Sequence, residues 1–148
     1  MAAESEILDS FRKRGLRCTS QRYVILKYLM THPTHPTVEE IHKAINRNHP
    51  RASRATVYNG LHALAQAGLV REVTVTGQAN RFESHTERHH HFVCQKCGRI
   101  EDLEWFDLPG VARRARVAPW TVGSWELILH GWCESCSSKP KEKLQWEK

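Results

Sequence analysis

The apolar positions in the first half of the chain recur every three or four residues, which is the period of an amphipathic helix. Four such stripes predict four helices, and their apolar residues are Ile7, Leu8 and Phe11, then Val24, Ile25, Tyr28 and Leu29, then Val38, Ile41 and Ile45, and last Val57, Leu61 and Leu64. Polar residues suited to helix starts precede three of the stripes. Thr19 or Ser20 can cap the second helix, Thr37 and Glu40 form a capping box at the third, and Ser53 can cap the fourth.

The pattern changes after the fourth helix. A β-branched run from Leu69 to Val75, a glycine at position 77 and a returning segment from Asn80 to Glu83 predict a short antiparallel hairpin. Helices followed by such a hairpin form a winged helix-turn-helix. In that fold the last helix enters the major groove of DNA, so we expect residues 1–84 to be a DNA-binding domain.

Charged and aromatic residues mark an exposed face on the predicted fourth helix. Arg54, Tyr58 and His62 recur every four residues, away from the apolar stripe. The formal net charge of the chain is +6, and residues 1–84 carry 12 Lys/Arg against 7 Asp/Glu, whereas residues 85–148 carry 10 against 9. This asymmetry favours contact between the first half and a polyanion, and general solubility is the alternative explanation.

From residue 85 onward the pattern is typical of strands. His91–Gln95 and Arg99–Leu103 predict a hairpin, and a helix with an acidic cap at Asp107 and an early Pro109 follows. Alternating apolar and polar residues then predict a half-buried strand through Trp125, Leu127 and Leu129. Residues 137–148 are polar and basic, and we expect a loose tail there. Residues 85–148 are therefore predicted to be a small α/β domain, which makes the whole chain α+β.

Four of the five cysteines form two C-x-x-C pairs with 35 residues between them: Cys94 with Cys97, and Cys133 with Cys136. Two residues between thiolates let both sulfurs bind one ion from a tight turn, and Gly98 relieves the strain of the first turn. Two such pairs predict a closed, tetrahedral, structural zinc site, with two disulfides or a redox pair as the alternative. The fifth cysteine, Cys18, is expected to be a small buried apolar residue near a helix start.

Three consecutive histidines precede the first cysteine pair. On an extended strand successive side chains alternate between the two faces, so His89, His91 and Val93 share one face and His90 lies on the other. A metal ion could therefore bind on the His89/His91 face, separate from the thiolates. The alternative is a solvated polar edge.

The chain shows no sign of a membrane or secretory destination. Its apolar runs are far shorter than the ~20 residues that a membrane helix needs. Residues Met1–Glu6 lack the basic and apolar regions of a signal peptide. We expect a cytoplasmic protein, in which thiols stay reduced and can bind metal.

Several motifs together make the chain resemble the ferric uptake regulator family, and within it the peroxide-sensing repressors. The resemblance extends from about Gly15 to Cys136, and its marks are Thr19-Ser20-Gln21-Arg22, His35-Pro36-Thr37, Ala55-Thr56-Val57-Tyr58-Asn59, Gly68-Leu69-Val70, Arg81-Phe82-Glu83 and the two cysteine pairs. The resemblance implies a homodimeric, metal-dependent repressor that binds double-stranded operator DNA. It further implies a winged-helix domain followed by a small α/β dimerisation domain.

The resemblance also implies particular site residues. Structural Zn²⁺ is expected at Cys94, Cys97, Cys133 and Cys136. A regulatory Fe²⁺ or Mn²⁺ is expected at His35, Glu83, His89, His91 and Asp102, which come from both predicted domains. Contacts with DNA are expected from Arg17, Arg54, Tyr58 and Asn59. Imidazole and carboxylate ligands suit Fe²⁺ and Mn²⁺, which compete poorly for thiolates.

Details favour the peroxide-sensing branch, in which Fe²⁺ and hydrogen peroxide oxidise a ligand histidine, here His35 or His89. Asn59, His90 and Asp102 match that branch, whereas Glu83 replaces the aspartate more usual there. An iron-sensing repressor, or less favourably a zinc-sensing one, is therefore the alternative. Trp125 stands where many members of the family have a histidine for a further metal site, so we do not expect that site here.

Two classes of protein outside the family share some of these features. His85 and Glu87 upstream of Cys94 are superficially similar to the H-x-E and P-C-x-x-C motifs of zinc deaminases, but Val93 stands where those enzymes have proline. A second cysteine pair would also leave no open position on the zinc for water. We therefore expect no enzyme. A structural zinc-ribbon adaptor would leave the exposed face of the fourth helix unexplained.

Overall fold

The computed structural model describes residues 4–47, 52–117 and 119–137, and divides the chain into two units between Glu87 and Arg88. The predicted domain boundary, after residue 84, stands three residues before this division. Nearly all of the predicted basic tail, residues 138–148, lies outside the described residues. None of the helices in the described part of the chain has both the length and the apolar character to cross a membrane.

The first unit contains four helices and a two-stranded antiparallel sheet. Their bounds are α1 Glu4–Lys13, α2 Ser20–Thr31, α3 Val38–Asn46, α4 Arg54–Gln66, β1 Arg71–Val73 and β2 Arg81–Glu83. The sheet pairs Arg71 with Glu83 and Val73 with Arg81. This is the predicted winged helix-turn-helix, and the predicted α+β fold class is confirmed.

The predicted helix starts are confirmed by their hydrogen bonds. The Thr19 hydroxyl accepts from the backbone N–H of Arg22 at the start of α2. At α3, the Thr37 side chain accepts from the Glu40 N–H while the Glu40 carboxylate accepts from the Thr37 N–H, so both halves of the capping box are present. Ser53 caps α4. These caps satisfy N–H groups that no helical carbonyl can reach.

The core of the first unit is built mainly from the apolar stripes that the sequence predicts, and Val70 and Phe82 of the hairpin region add to it. Leu26 is buried in α2, whereas Val24 is 41% exposed. Helix α4 packs closely against α2 at Gly60, where an added Cβ would come within 2.7 Å of the Ile25 side chain. Because a glycine permits this approach, one face of α4 is buried against α2 and the opposite face, with Tyr58, is exposed.

The second unit is a three-stranded sheet with one helix. Its elements are β3 His90–Cys94, β4 Ile100–Leu103, α5 Pro109–Val117 and β5 Ile128–Gly131. The strand order is β4-β3-β5, with β3 antiparallel to β4 and parallel to β5. The central position of β3 buries residues on both of its faces.

Two elements of the second unit differ from the prediction. The last strand begins at Ile128, where it pairs with His91, and not at Trp125; Leu129, expected to face inward, is 38% exposed. Helix α5 begins at Pro109, so Asp107 stands two residues before its first turn. Alternation of apolar and polar residues indicates that a segment is a strand. The residue at which its hydrogen bonding begins depends on the neighbouring strand.

Candidate metal centres

The four predicted zinc ligands come together in the second unit. Their sulfur atoms all lie within 4.8 Å of one another. The Cys97 and Cys133 sulfurs are 3.7 Å apart. Tetrahedral zinc with Zn–S bonds of about 2.3 Å requires sulfurs about 3.8 Å apart, whereas a disulfide requires about 2.05 Å. All five cysteines are free thiols, so the disulfide alternative is wrong for this structure.

Backbone geometry brings the sulfurs together. Cys94 is the last residue of β3, and the N–H of Gly98 donates to its carbonyl oxygen over 2.9 Å, which closes the first turn. Gly98 has φ 72, a conformation that favours glycine. The second turn follows β5, where the Cys136 N–H donates to the Cys133 carbonyl. The two turns are joined directly, since the Cys133 N–H donates to the Cys94 sulfur over 3.4 Å.

The thiols of the cluster have opposing pKa shifts. Backbone N–H groups, first that of Cys133 and then that of Cys97, hold the pKa of Cys94 at about 6, below its ordinary 9.0. Interaction with the Cys133 side chain, ahead of burial, raises the pKa of Cys136 to about 12. The Cys94 sulfur therefore carries negative charge readily, whereas Cys136 resists losing its proton until a cation balances the charge.

A second group of donors also lies within the second unit. The Nε2 atoms of His89 and His91 are 2.9 Å apart, and Asp102 Oδ1 is 3.7 Å and 4.0 Å from them respectively. Asp102 lies directly opposite His91 in the β3–β4 register. Both imidazoles are at most 2% exposed, so the alternative of a solvated polar edge is wrong. Two buried imidazoles and a carboxylate oxygen converging in this way fit a divalent metal ion.

His35 and Glu83 form a matching pair within the first unit. The His35 Nε2 atom lies 3.0 Å from Glu83 Oε2, and both side chains are about 95% buried. His35 has φ 51, a conformation that non-glycine residues seldom adopt. The guanidinium of Arg81 donates to the His35 carbonyl oxygen over 3.0 Å, and Arg71 Nε lies 3.5 Å from Glu83 Oε1.

The sequence reasoning missed the two arginines beside this pair. In the sequence, Arg81 stands in the Arg81-Phe82-Glu83 motif, which indicates no separate role for it, and Arg71 belongs to none of the motifs. Both stand on the hairpin strands, where Arg71 pairs with Glu83 across the sheet. The alternation of β2 could have indicated that Arg81 and Glu83 share a face. The loop carbonyl that Arg81 binds is 46 residues away and leaves no local signal.

The residues expected to contact DNA are all exposed in the first unit: Arg17, Arg54, Tyr58 and Asn59. Tyr58 is 57% exposed, so its ring is available for contact from outside. Arg54 Nε lies 3.0 Å from Glu39 Oε2, which connects α4 to α3. Cys18 was expected to be buried and is instead exposed, so that prediction is wrong. The residue stands just before the Thr19 cap, outside the stripe that faces the core.

A winged helix followed by a small sheet, with a four-thiolate cluster and two groups of imidazole and carboxylate donors, defines a metal-binding protein of the winged-helix class. The model of the ferric uptake regulator family matches residues 13–129. The chain belongs to the ferric uptake regulator family.

Individual relatives refine this assignment. The chain is 36% identical over 135 residues to the peroxide-responsive repressor PerR of Staphylococcus aureus, covering 90% of this chain and 91% of that protein. The Campylobacter jejuni peroxide stress regulator is 31% identical, with a TM-score of 0.66, covering 92% of this chain and 100% of that one. The Helicobacter pylori ferric uptake regulator Fur is 24% identical with a TM-score of 0.71, covering 95% and 97%, a likeness that concerns the fold.

Proposed function

We propose that the chain is a metal-dependent transcriptional repressor that senses hydrogen peroxide through oxidation of a ligand histidine. The observation that carries this proposal is the convergence of the buried His89 and His91 nitrogens with the Asp102 carboxylate. Similarity to the S. aureus peroxide-responsive repressor supports the choice of signal.

Two metals have different roles in the proposal. Zinc is structural, and its ligands are the four sulfurs Cys94, Cys97, Cys133 and Cys136. The regulatory ion is Fe²⁺ or Mn²⁺, and its ligands are His35, Glu83, His89, His91 and Asp102. Nitrogen and carboxylate oxygen donors suit these ions, while the thiolates retain zinc.

Regulation follows from where the ligands stand in the chain. His35 and Glu83 belong to the first unit, and His89, His91 and Asp102 belong to the second. An ion that requires ligands from both units favours the arrangements in which both can reach it. We propose that this restricted arrangement is the one that binds operator DNA as a homodimer. Loss of one ligand then releases the DNA.

Peroxide sensing adds a covalent change at a ligand. Bound Fe²⁺ would reduce hydrogen peroxide and so generate a reactive oxidant next to its ligands. In net terms, one oxygen atom of the peroxide would be inserted at a ring C–H bond of His35 or His89 and the other would leave as water. The oxidised ring would then bind the ion less well. Each protein molecule is altered once and has no turnover, so the proposal is a sensor and not an enzyme.

DNA contact is proposed for the exposed face of α4 and the loop before α2. Tyr58 can contact a thymine methyl, Arg54 can reach a phosphate or a base edge, and Asn59 lies beside them. Arg17 is proposed to enter the neighbouring minor groove. The basic balance of residues 1–84 supports this assignment, because phosphate contacts dominate affinity for DNA.

The test compares two metals on the same protein. Purified protein is loaded with Fe²⁺ or with Mn²⁺, bound to operator DNA and exposed to micromolar peroxide. With Fe²⁺ we expect release of DNA and addition of one oxygen to His35 or His89, read by mass spectrometry. With Mn²⁺, DNA should stay bound, because Mn²⁺ does not readily drive this reduction. Equal DNA binding with and without metal would instead support a structural adaptor.

Glu83 favours a second candidate, an iron-sensing repressor. Glu83 has a longer side chain than the aspartate typical of the peroxide-sensing branch, and carboxylate length affects whether a coordination position stays open. In the same experiment an iron sensor would bind DNA only with iron, and both histidines would remain unmodified after peroxide.

A further inference from the structure

His90 lies beside the proposed regulatory ligands and is as fully enclosed as His91. Its side chain is 0% exposed, and it lies between His89 and His91 in the chain. Because side chains alternate along a strand, the His90 side chain lies on the opposite face from His89 and His91. Its ring nitrogens are therefore not among the donor atoms that converge there. The sequence marked His90 only as a feature of the peroxide-sensing branch.

Both ring nitrogens of His90 have backbone partners. The N–H of Leu127 donates to His90 Nδ1 over 3.1 Å, so Nδ1 carries no proton. Nε2 lies 3.0 Å from the carbonyl oxygen of Phe106, which can only accept, so Nε2 carries the proton. The ring is therefore held as one neutral tautomer in which both nitrogens are used, and it has no free nitrogen for a metal.

These two bonds join three separate segments. Phe106 follows β4, the strand that contains Asp102, and Leu127 immediately precedes β5. The Leu127 carbonyl oxygen also accepts from the His91 N–H over 3.0 Å, so Leu127 is bonded to β3 in both directions. The central strand is thus connected on both sides at the residue between the two proposed histidine ligands.

Aromatic rings enclose His90 on several sides. The ring centroids of Trp105, Phe106 and Trp125 lie 4.5, 4.4 and 5.2 Å from that of His90. The two tryptophans also contact each other at 4.7 Å, and the Arg88 guanidinium lies 4.1 Å from the Trp105 ring centre. A polar group in such surroundings is stable only when hydrogen-bonded, so the two backbone bonds define its position.

We propose that His90 is a positioning residue for the regulatory metal site: its two backbone bonds set where His89, His91 and Asp102 hold their donor atoms. The proposal rests on the proposed function of those three residues as ligands. Outer groups that orient metal ligands typically change affinity by 10- to 100-fold when they are replaced. His90 acts through backbone position and does not touch the ion.

The test measures Mn²⁺ affinity and thermal unfolding separately on the zinc-loaded 148-residue chain. His90→Phe keeps an aromatic ring of similar size and removes both bonds. His90→Asn can retain an acceptor for the Leu127 N–H, and His90→Gln can retain a donor to the Phe106 carbonyl. Trp125→Phe is the matched control, because it weakens the aromatic enclosure and leaves both bonds in place.

We expect His90→Phe to weaken Mn²⁺ binding by about 10-fold or more. His90→Asn and His90→Gln, which each keep one of the two hydrogen bonds, should bind Mn²⁺ more tightly than His90→Phe does. Trp125→Phe should lower the unfolding temperature and leave Mn²⁺ affinity unchanged. If His90→Phe does not fold, the Asn and Gln variants still decide the question. Wild-type Mn²⁺ affinity in all three His90 variants would overturn the proposal, as would equal losses of affinity in Trp125→Phe.

His91→Ala separates this proposal from the proposed function. Removing a proposed ligand should abolish Mn²⁺ binding at the regulatory site. If wild type and His91→Ala bind Mn²⁺ equally, the ligand assignment is wrong and the positioning role of His90 falls with it. If His91→Ala loses binding while the His90 variants keep it, only the positioning role is wrong.

Discussion

Cys133 combines two roles in the thiolate cluster. Its sulfur lies 3.7 Å from that of Cys97, a distance suited to a shared zinc ion. Its backbone N–H donates to the Cys94 sulfur, which lowers the pKa of that thiol and favours the thiolate form that zinc requires. A substitution at Cys133 therefore removes a ligand directly. The backbone bond remains available to the mutant.

We predict that Cys133→Ser loses zinc and most of the associated folding free energy, which is on the order of 10 kcal/mol for structural zinc sites. The second unit should then lose cooperative unfolding, and the protein should elute as a monomer. Zinc content, calorimetry and size-exclusion chromatography measure these effects. Cys18→Ser is the matched control, since Cys18 is exposed and outside the cluster. A zinc-free Cys133→Ser protein that remains a stable dimer would contradict the structural role.

Helix α4 has two faces with different tasks. Val57, Leu61 and Leu64 are buried, and Gly60 allows close packing on α2, so the helix is held firmly by the first unit. On the other face, Arg54 forms an ion pair with Glu39 of α3. Exposed pairs of this kind contribute about 0–1 kcal/mol, so exchanging Glu39 for the proposed DNA phosphate would cost Arg54 little.

At this level we predict that Tyr58→Ala weakens binding to operator DNA by ~1–3 kcal/mol, the usual scale of a base contact. Tyr58→Phe should bind nearly as well as wild type if the ring contacts a thymine methyl. Arg17→Ala should lower the slope of log affinity against log salt by about 1, since one phosphate or groove contact is lost. Gel shifts over a range of salt measure both. Unchanged affinity in Tyr58→Ala and Arg17→Ala would mean that another surface contacts the DNA.

For the molecule as a whole, regulation requires a difference in free energy between arrangements of the two units. Moving a two-state equilibrium from 1:99 to 99:1 requires about 5.5 kcal/mol of differential affinity. A single ion can supply this only if ligands from both units bind it in the favoured arrangement. In the proposed mechanism, loss of one histidine ligand would remove part of that difference and so favour release of the DNA.

Asp102→Glu tests whether carboxylate length tunes the peroxide response. Asp102 stands opposite His91 on β4, and its Oδ1 atom lies 3.7 Å from His89 Nε2. A glutamate at this position is one methylene longer. It should still bind the ion, but its carboxylate should occupy the space around the ion differently. We predict retained metal-dependent DNA binding and less histidine oxidation with Fe²⁺ and peroxide.

The Mn²⁺-loaded form of each protein is the control for Asp102→Glu, because it should bind DNA regardless of peroxide. Gel shifts and mass spectrometry on matched samples measure binding and oxidation. Oxidation at the wild-type rate in Asp102→Glu would show that the length of this carboxylate does not control reactivity.

Local signals were sufficient for much of this protein. Helix stripes and their caps at Thr19, Thr37 and Ser53 involve residues within about one turn, so the order of residues along the chain reveals them. Each cysteine pair is likewise a short-range motif. The family motifs named the candidate ligands and the DNA-facing residues, whose functional roles remain predictions.

Long-range contacts decided the remainder. The exposure of Cys18 and Val24, the start of β5 at Ile128 and the bond from Arg81 to the His35 carbonyl all depend on which distant segments pack together. His90 is the clearest example, because its two partners, Phe106 and Leu127, lie 16 and 37 residues along the chain. A histidine has the same local pattern whether it binds metal, water or backbone. Its role follows from the groups that folding places around it, and those groups are backbone atoms that no side-chain pattern specifies.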